Sequence, residues 1–142
     1  MLTNTRALIA VGNPETRKQL YGQLLDRGVF SDYAGDGQVT LQRLREIPYG
    51  IVVLDLALTK ISSLQIIDTI GEMSPRPMII AVAGEDPYPT LDSEIVQIVV
   101  RMPFPLHELA GIIASCVVPS KRREQRAQSG DDAREERSRN RF

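Results

Sequence analysis

Ile51-Val52-Val53-Leu54-Asp55 is the stretch on which the reading of this chain turns. Four apolar residues in a row, three of them β-branched, leave no polar face. The run therefore reads as a short strand covered on both sides, as the strands of parallel sheets are. Tyr49-Gly50 leads into it, and Asp55 follows at once. A carboxylate directly after such a strand is costly unless it reaches solvent or a site.

The same alternation continues on either side. Upstream, residues 7–11 (Ala-Leu-Ile-Ala-Val) form a second all-apolar run that ends in Gly12-Asn13-Pro14. Asn13 suits a helix N-cap, Pro14 the first helical position and Glu15 the first turn. Leu20, Leu24 and Leu25 then recur at helical spacing up to Gly28, a natural stop. Residues 29–32 read as a second strand. Ala34-Gly35-Asp36-Gly37 is a turn before a helix over 38–47 with Val39, Leu41, Leu44 and Ile47 on one stripe. Downstream of Asp55, Ser62 or Ser63 caps a helix carrying Leu64, Ile67, Ile70 and Met73, which Pro75 and Pro77 interrupt. Residues 78–83 are again all apolar, 95–101 read as a fifth strand, and 106–118 as a last helix with Leu109, Ile112, Ile113 and Cys116 inward. Residues 84–94 contain Pro87 and Pro89 and show no 3.6-residue stripe, so a helix there is expected to be one or two turns around 90–94, or absent.

Apolar strands alternating with amphipathic helices define an α/β protein with a parallel sheet covered on both faces. Five such units within residues 1–118 fit the flavodoxin-like, doubly wound strand order 2-1-3-4-5. Ligands of that architecture sit beyond the carboxyl ends of the strands, so the informative positions are Gly12 and Asn13, Asp55, Val82 and Ala83, and Arg101 and Met102.

The chain has 142 residues, 42% apolar and 25% charged, which suits one globular domain. The 17 Lys and Arg against 18 Asp and Glu argue against a wholly basic nucleic-acid binder. One cysteine and one histidine exclude an internal disulfide and Cys- or His-rich metal sites. His107 reads as a surface residue and Cys116 as a small core residue. No phosphate-binding loop of the G-x-x-x-x-G-K-[ST] or G-x-G-x-x-G type occurs. The apolar run at 7–11 is too short for a membrane span or signal core, and a cytoplasmic protein without membrane attachment is expected. Residues 119–142 hold eight basic and five acidic residues with only Ala127, Ala133 and Phe142 apolar, so they read as a disordered charged tail after a domain at 1–118.

Residues 7–17, Ala34-Gly35-Asp36-Gly37, Val53-Leu54-Asp55-Leu56, residues 77–83 and Pro103-Phe104 occur in this order at suitable spacing. Together they resemble the receiver domain of bacterial two-component response regulators (the CheY-like fold), over residues 5–118. The resemblance implies that Asp55 corresponds to the phospho-accepting aspartate loaded by a histidine kinase. It also implies that most of the accompanying chemistry is missing. The acidic pair that helps to hold Mg²⁺ in receivers falls on Val11 and Gly12. The Thr or Ser that bonds the phosphoryl group falls on Val82, and the Lys before Pro-Phe on Met102. The switch aromatic falls on Val99. Asn13 keeps an amide oxygen, but one neutral oxygen substitutes poorly for carboxylates around a hard cation. Arg101, one residue before Met102, points to the opposite side in a regular strand.

The expectation is thus a degenerate pseudo-receiver, not an enzyme and without a cofactor, in which Asp55 is vestigial. It would act by protein–protein contact with a histidine kinase or an output protein, or as a homodimer through the face formed by residues 84–118. Two alternatives stand beside it. One is an active phospho-receiver that uses Asp55 with Mg²⁺. The other is a nucleic-acid-associated protein using the basic tail, which the five tail acids disfavour.

Overall fold

The computed structural model describes residues 6–117; the expected charged tail over 119–142 lies outside the described residues. Five parallel strands form one sheet in the order β2-β1-β3-β4-β5. They are β1 (Ala7–Ala10), β2 (Ser31–Ala34), β3 (Ile51–Asp55), β4 (Met78–Ala83) and β5 (Val96–Arg101). Among the described residues the helices are α1 (Pro14–Asp26), α2 (Gly37–Glu46), α3 (Ser63–Gly71) and α4 (Leu106–Val117). No helix occupies residues 84–95. The absent member of the expected pair of outcomes is therefore the one realised, because Pro87 and Pro89 cannot be accommodated in a continuing helical ladder.

The all-apolar strands are buried throughout their length in β1, and through Leu54 in β3. Their side chains alternate between two cores. Ile9, Ile51, Val53 and Ile80 pack with Leu20, Leu24, Leu109 and Ile113 of α1 and α4. Leu8, Val52, Leu54 and Ile79 pack with Leu41, Leu44, Ile66 and Ile70 of α2 and α3. Each such side chain removed from water contributes about 1.5–3 kcal/mol.

The helix starts follow local chemistry. Asn13 Oδ1 accepts the Thr16 N–H at 3.0 Å, Asp36 Oδ1 that of Val39 at 2.9 Å, and Ser62 Oγ that of Gln65 at 3.2 Å. Of the two serines proposed to cap α3, Ser62 does so. Gly28 sits at φ +79° after α1, a left-handed conformation that L side chains rarely adopt.

Four details depart from the sequence reading. Strand β2 begins two residues late, at Ser31. Gly28 N–H bonds Leu25 O and Val29 N–H bonds Leu24 O, so the residues expected to open the strand instead close α1 in a Schellman motif. Leu25 is 50% exposed, outside the stripe expected of it. In α3, Leu64 is 44% exposed and Ile66 is fully buried. In α4 the fully inward positions are Leu109, Ala110, Ile113 and Val117, while Ile112 and Cys116 are only half-buried against the core. His107 is exposed, and only its carbonyl is used, accepting from Arg27 Nη2 at 3.2 Å.

Candidate functional site

Asp55 closes β3 between the carboxyl ends of β1 and β4 and is half-buried. Its carboxylate is bonded through both oxygens: Oδ2 accepts the Gly12 N–H at 3.0 Å and Oδ1 the Ala57 N–H at 2.9 Å. Gly12 is thus the residue that faces Asp55, and it does so with backbone alone. A Cβ there would lie 3.5 Å from Asp55 Oδ2, an ordinary contact, so the position has room for a side chain that the sequence does not supply.

Val11 is turned the other way. It is 4% exposed and packs in the core with Leu20 and Leu109. Asn13, the one polar side chain left in this stretch, spends its amide oxygen on the cap of α1. Val82 lies directly beside Asp55 in the β3–β4 register, 7% exposed, with its carbonyl accepting the Leu56 N–H at 2.9 Å. Met102 donates its N–H to Ala83 O at 2.7 Å and rests half-buried against the core. Val82 therefore offers Asp55 apolar surface and no hydroxyl, and Met102, after β5, carries no ammonium.

Two arginines lie near, and neither pairs with Asp55. Arg101 donates to Gly84 O at 2.5 Å and sits over the Tyr88 ring, 5.3 Å from its centroid, which draws it toward the β4–β5 connection. Arg17, which the sequence motifs leave without a role, lies at the carboxyl end of β1. Its Nη1 donates to Val11 O at 2.9 Å and to Gly12 O at 3.4 Å, and its guanidinium lies 5.9 Å from the Tyr33 ring centroid. The signal available in the sequence was its position one helical turn after the Asn13 cap, which returns a long side chain toward the end of β1.

A fixed cation bonded to those carbonyls stands beside the position where receivers use acids. Among the described residues, no group of three or more His, Cys, Asp or Glu is placed to hold a metal ion. The local donor set is one carboxylate, already bonded at both oxygens, and one capping amide. Mg²⁺ demands near-ideal octahedral oxygen coordination, and this set does not fit it.

The loop after Asp55 is strapped to α2. Gly37 N–H bonds Thr59 O at 2.9 Å, and Lys60 Nζ lies 3.5 Å from Asp36 Oδ2. Ser63 Oγ donates to Leu56 O at 3.1 Å. The Val39 N–H, with Lys60 beside it, holds the Asp36 carboxyl below its ordinary range. At the other end of the sheet Tyr49 donates to Asp32 Oδ2 at 2.7 Å and Arg6 pairs with Asp32 Oδ1 at 3.2 Å. Burial, with Asp32 adding to it, pushes the Tyr49 phenol well above its ordinary value.

This strand order is the flavodoxin-like one, which the receiver domains of response regulators share. A receiver domain (CheY-like) from Methylobacillus flagellatus superposes with a TM-score of 0.65 at 22% identity, covering 80% of this chain and 99% of that one. One from Methanospirillum hungatei JF-1 gives 0.71 at 17% identity, covering 82% and 97%. An adenylate cyclase structure from Rhodopirellula baltica gives 0.67 at 14% identity, covering 86% and 97%. No family model matches the sequence, and no curated protein does. At these identities the likeness establishes the fold; activity has to be argued from the site.

Proposed function

We propose that this chain is a pseudo-receiver: a signalling module of two-component type that works by protein–protein contact without phosphorylation of Asp55. The observation that carries the reading is the surroundings of Asp55. Both its oxygens are engaged by backbone N–H groups, its partner across β4 is the apolar Val82, and the residue before Pro103-Phe104 is Met102, not a lysine. A transferring phosphoryl group needs its negative charge neutralised, and in receivers a metal and a cation do this. Here the Arg101 guanidinium is committed to Gly84 and Tyr88, and the metal-ligand positions are Val11 and Gly12.

Without those groups, nothing distinguishes two surface states in response to phosphate, because a ligand shifts an equilibrium only through differential affinity. The straps from α2 to the loop after Asp55 support a single state. Partners, a histidine kinase or an output protein, or a second copy, recognise that state through the face formed by residues 84–117. Val99 on the edge strand β5 is 40% exposed within this face. The module has no catalytic activity of its own, acts in the cytoplasm and does not engage nucleic acid. No helix among the described residues is long and apolar enough to cross a membrane.

Amide NMR spectra with and without Mg²⁺ and beryllofluoride, a phosphoryl mimic, test the reading. The expected spectra superimpose. Saturable shifts clustered on Asp55, Val82 and Met102 overturn it in favour of an active phospho-receiver.

A further inference from the structure

The missing helix between β4 and β5 leaves a groove of about 220 Å³ between the start of α3 and the segment 84–95. Its apolar lining includes Leu56, Leu58, Leu64, Pro87, Tyr88 and Leu91. Leu64 is the residue found unexpectedly exposed on α3, at 44%. Gly71 at the far end of that helix faces Ile95, so α3 and the segment run side by side.

Acidic residues flank the lining residues along α3 and along the segment 84–95. Asp68 lies one turn after Leu64 on α3 and Glu72, the C-cap, one turn further, which places them along the same side. The segment 84–95 carries Glu85, Asp86, Asp92 and Glu94 and has no Lys or Arg. All six carboxylates are exposed, and none forms an ion pair among the described residues. Of the nearby cations, Lys60 is paired with Asp36 and Arg101 with Gly84 O and the Tyr88 ring.

We propose that this groove docks the chain's own cationic segment, residues 118–142. Charge complementarity selects the occupant. Residues 1–117 hold 9 basic and 13 acidic side chains, and 118–142 hold 8 and 5. Lys121-Arg122-Arg123 and Arg126 form the densest basic stretch. Lys and Arg lay their aliphatic stems on apolar surface while their charges reach outward, which matches an apolar floor flanked in the chain by acidic residues.

Length permits it. Twenty-five residues after Val117 span at most ~85 Å when extended, against a radius of gyration of about 13 Å for a domain of this size. Tethering raises the effective concentration into the millimolar range, so a contact of roughly millimolar strength is half occupied. The occupied groove would screen one border of the partner face in a salt-dependent manner. This inference stands apart from the phosphorylation state of Asp55.

Amide spectra of the full chain at about 0.05 M and about 0.5 M salt, where screening lengths differ severalfold, provide the test. They are compared with the variant K121E/R122E/R123E/R126E and with D86K/D92K. In the wild type, raising salt should shift the amides of residues 56–58, 62–64, 88 and 90–94 together. The low-salt spectrum of the tail variant should already match that shifted pattern, at any protein concentration. D86K/D92K should lose the salt response at the same amides. Groove amides that ignore the tail reversal overturn the proposal. Shifts that map to α1 or β2, or that grow with protein concentration, also overturn it, the latter assigning the groove to a second copy. A thermal midpoint within a few degrees of wild type for each variant shows that folding is not the cause.

Discussion

Gly37→Ala puts the strap between α2 and the loop after Asp55 under a defined load. An added Cβ at Gly37 would lie 2.2 Å from Ile61 O and 2.9 Å from both the carbonyl carbon and the Cβ of Ile61. Carbon–oxygen contacts settle near ~3.3 Å, so the two backbones must part by about 1 Å. Ile61 cannot retreat freely. Its N–H and that of Gly37 both bond Thr59 O, and Lys60 between them, at φ +73°, pairs with Asp36.

Overpacking of this kind costs about 1–3 kcal/mol, and a lost backbone hydrogen bond about 0.5–1.5 kcal/mol more. Against this, alanine in a helix is better than glycine by about 0.8–1 kcal/mol. The net expectation is a loss of about 2 kcal/mol within a span of roughly 0.5–4 kcal/mol, on the order of a 10 °C fall in the thermal midpoint for a domain of this size. Gly22→Ala supplies the control. Nothing lies within 4 Å of its added Cβ, so helix propensity acts alone and the midpoint should rise by a few degrees. Thermal and urea unfolding followed by circular dichroism measure both. A Gly37→Ala protein as stable as wild type, with Gly22→Ala stabilised, would refute the reasoning about the strap.

Further outcomes follow from the same structure. Asp55→Asn should bind a partner or a second copy as tightly as wild type in pull-down or calorimetry; a folded variant that loses its partner, or binding gained only after acetyl-phosphate treatment, removes the constitutive reading. Tyr49→Phe removes the bond to Asp32 and should cost about 1 kcal/mol in urea unfolding, while an unchanged midpoint would show that the bond contributes nothing net. Because the Tyr49 phenol is raised in the folded protein, its contribution is complete below the unfolded value near ~10 and is lost as pH rises beyond it, so alkaline unfolding should set in later for Tyr49→Phe. The Asp36 carboxyl is lowered, so its contribution is present above the unfolded value near ~3.9 and is lost as pH falls through the folded one. Asp36→Ala should therefore flatten the acid side of the stability profile and, by removing the cap on the Val39 N–H, lower the midpoint of urea unfolding at neutral pH.

What the sequence determined by itself is what local periodicity and capping chemistry encode. The continuous apolar runs at β1, β3 and β4 have no polar face, so only a parallel sheet covered on both sides accommodates them. Asn13, Asp36 and Ser62 precede helices whose first free N–H groups need an acceptor, and each supplies it over a few residues of chain. The position of Asp55 at the carboxyl edge follows from the same runs. Tertiary structure decided the rest. The start of β2 depended on Val29 N–H going to Leu24 O, and Ser31-Asp32-Tyr33-Ala34 carries no apolar run to announce an edge strand. Whether Leu64 or Ile66 faced the core depended on where the absent helix left α3 uncovered. The two N–H groups on Asp55, the reach of Arg17 to Val11 O and the capture of Arg101 by Gly84 and Tyr88 join residues from separate elements. Side-chain type and spacing along one chain specify which groups can bond, but the partner each one meets is set by how the elements pack across the sheet.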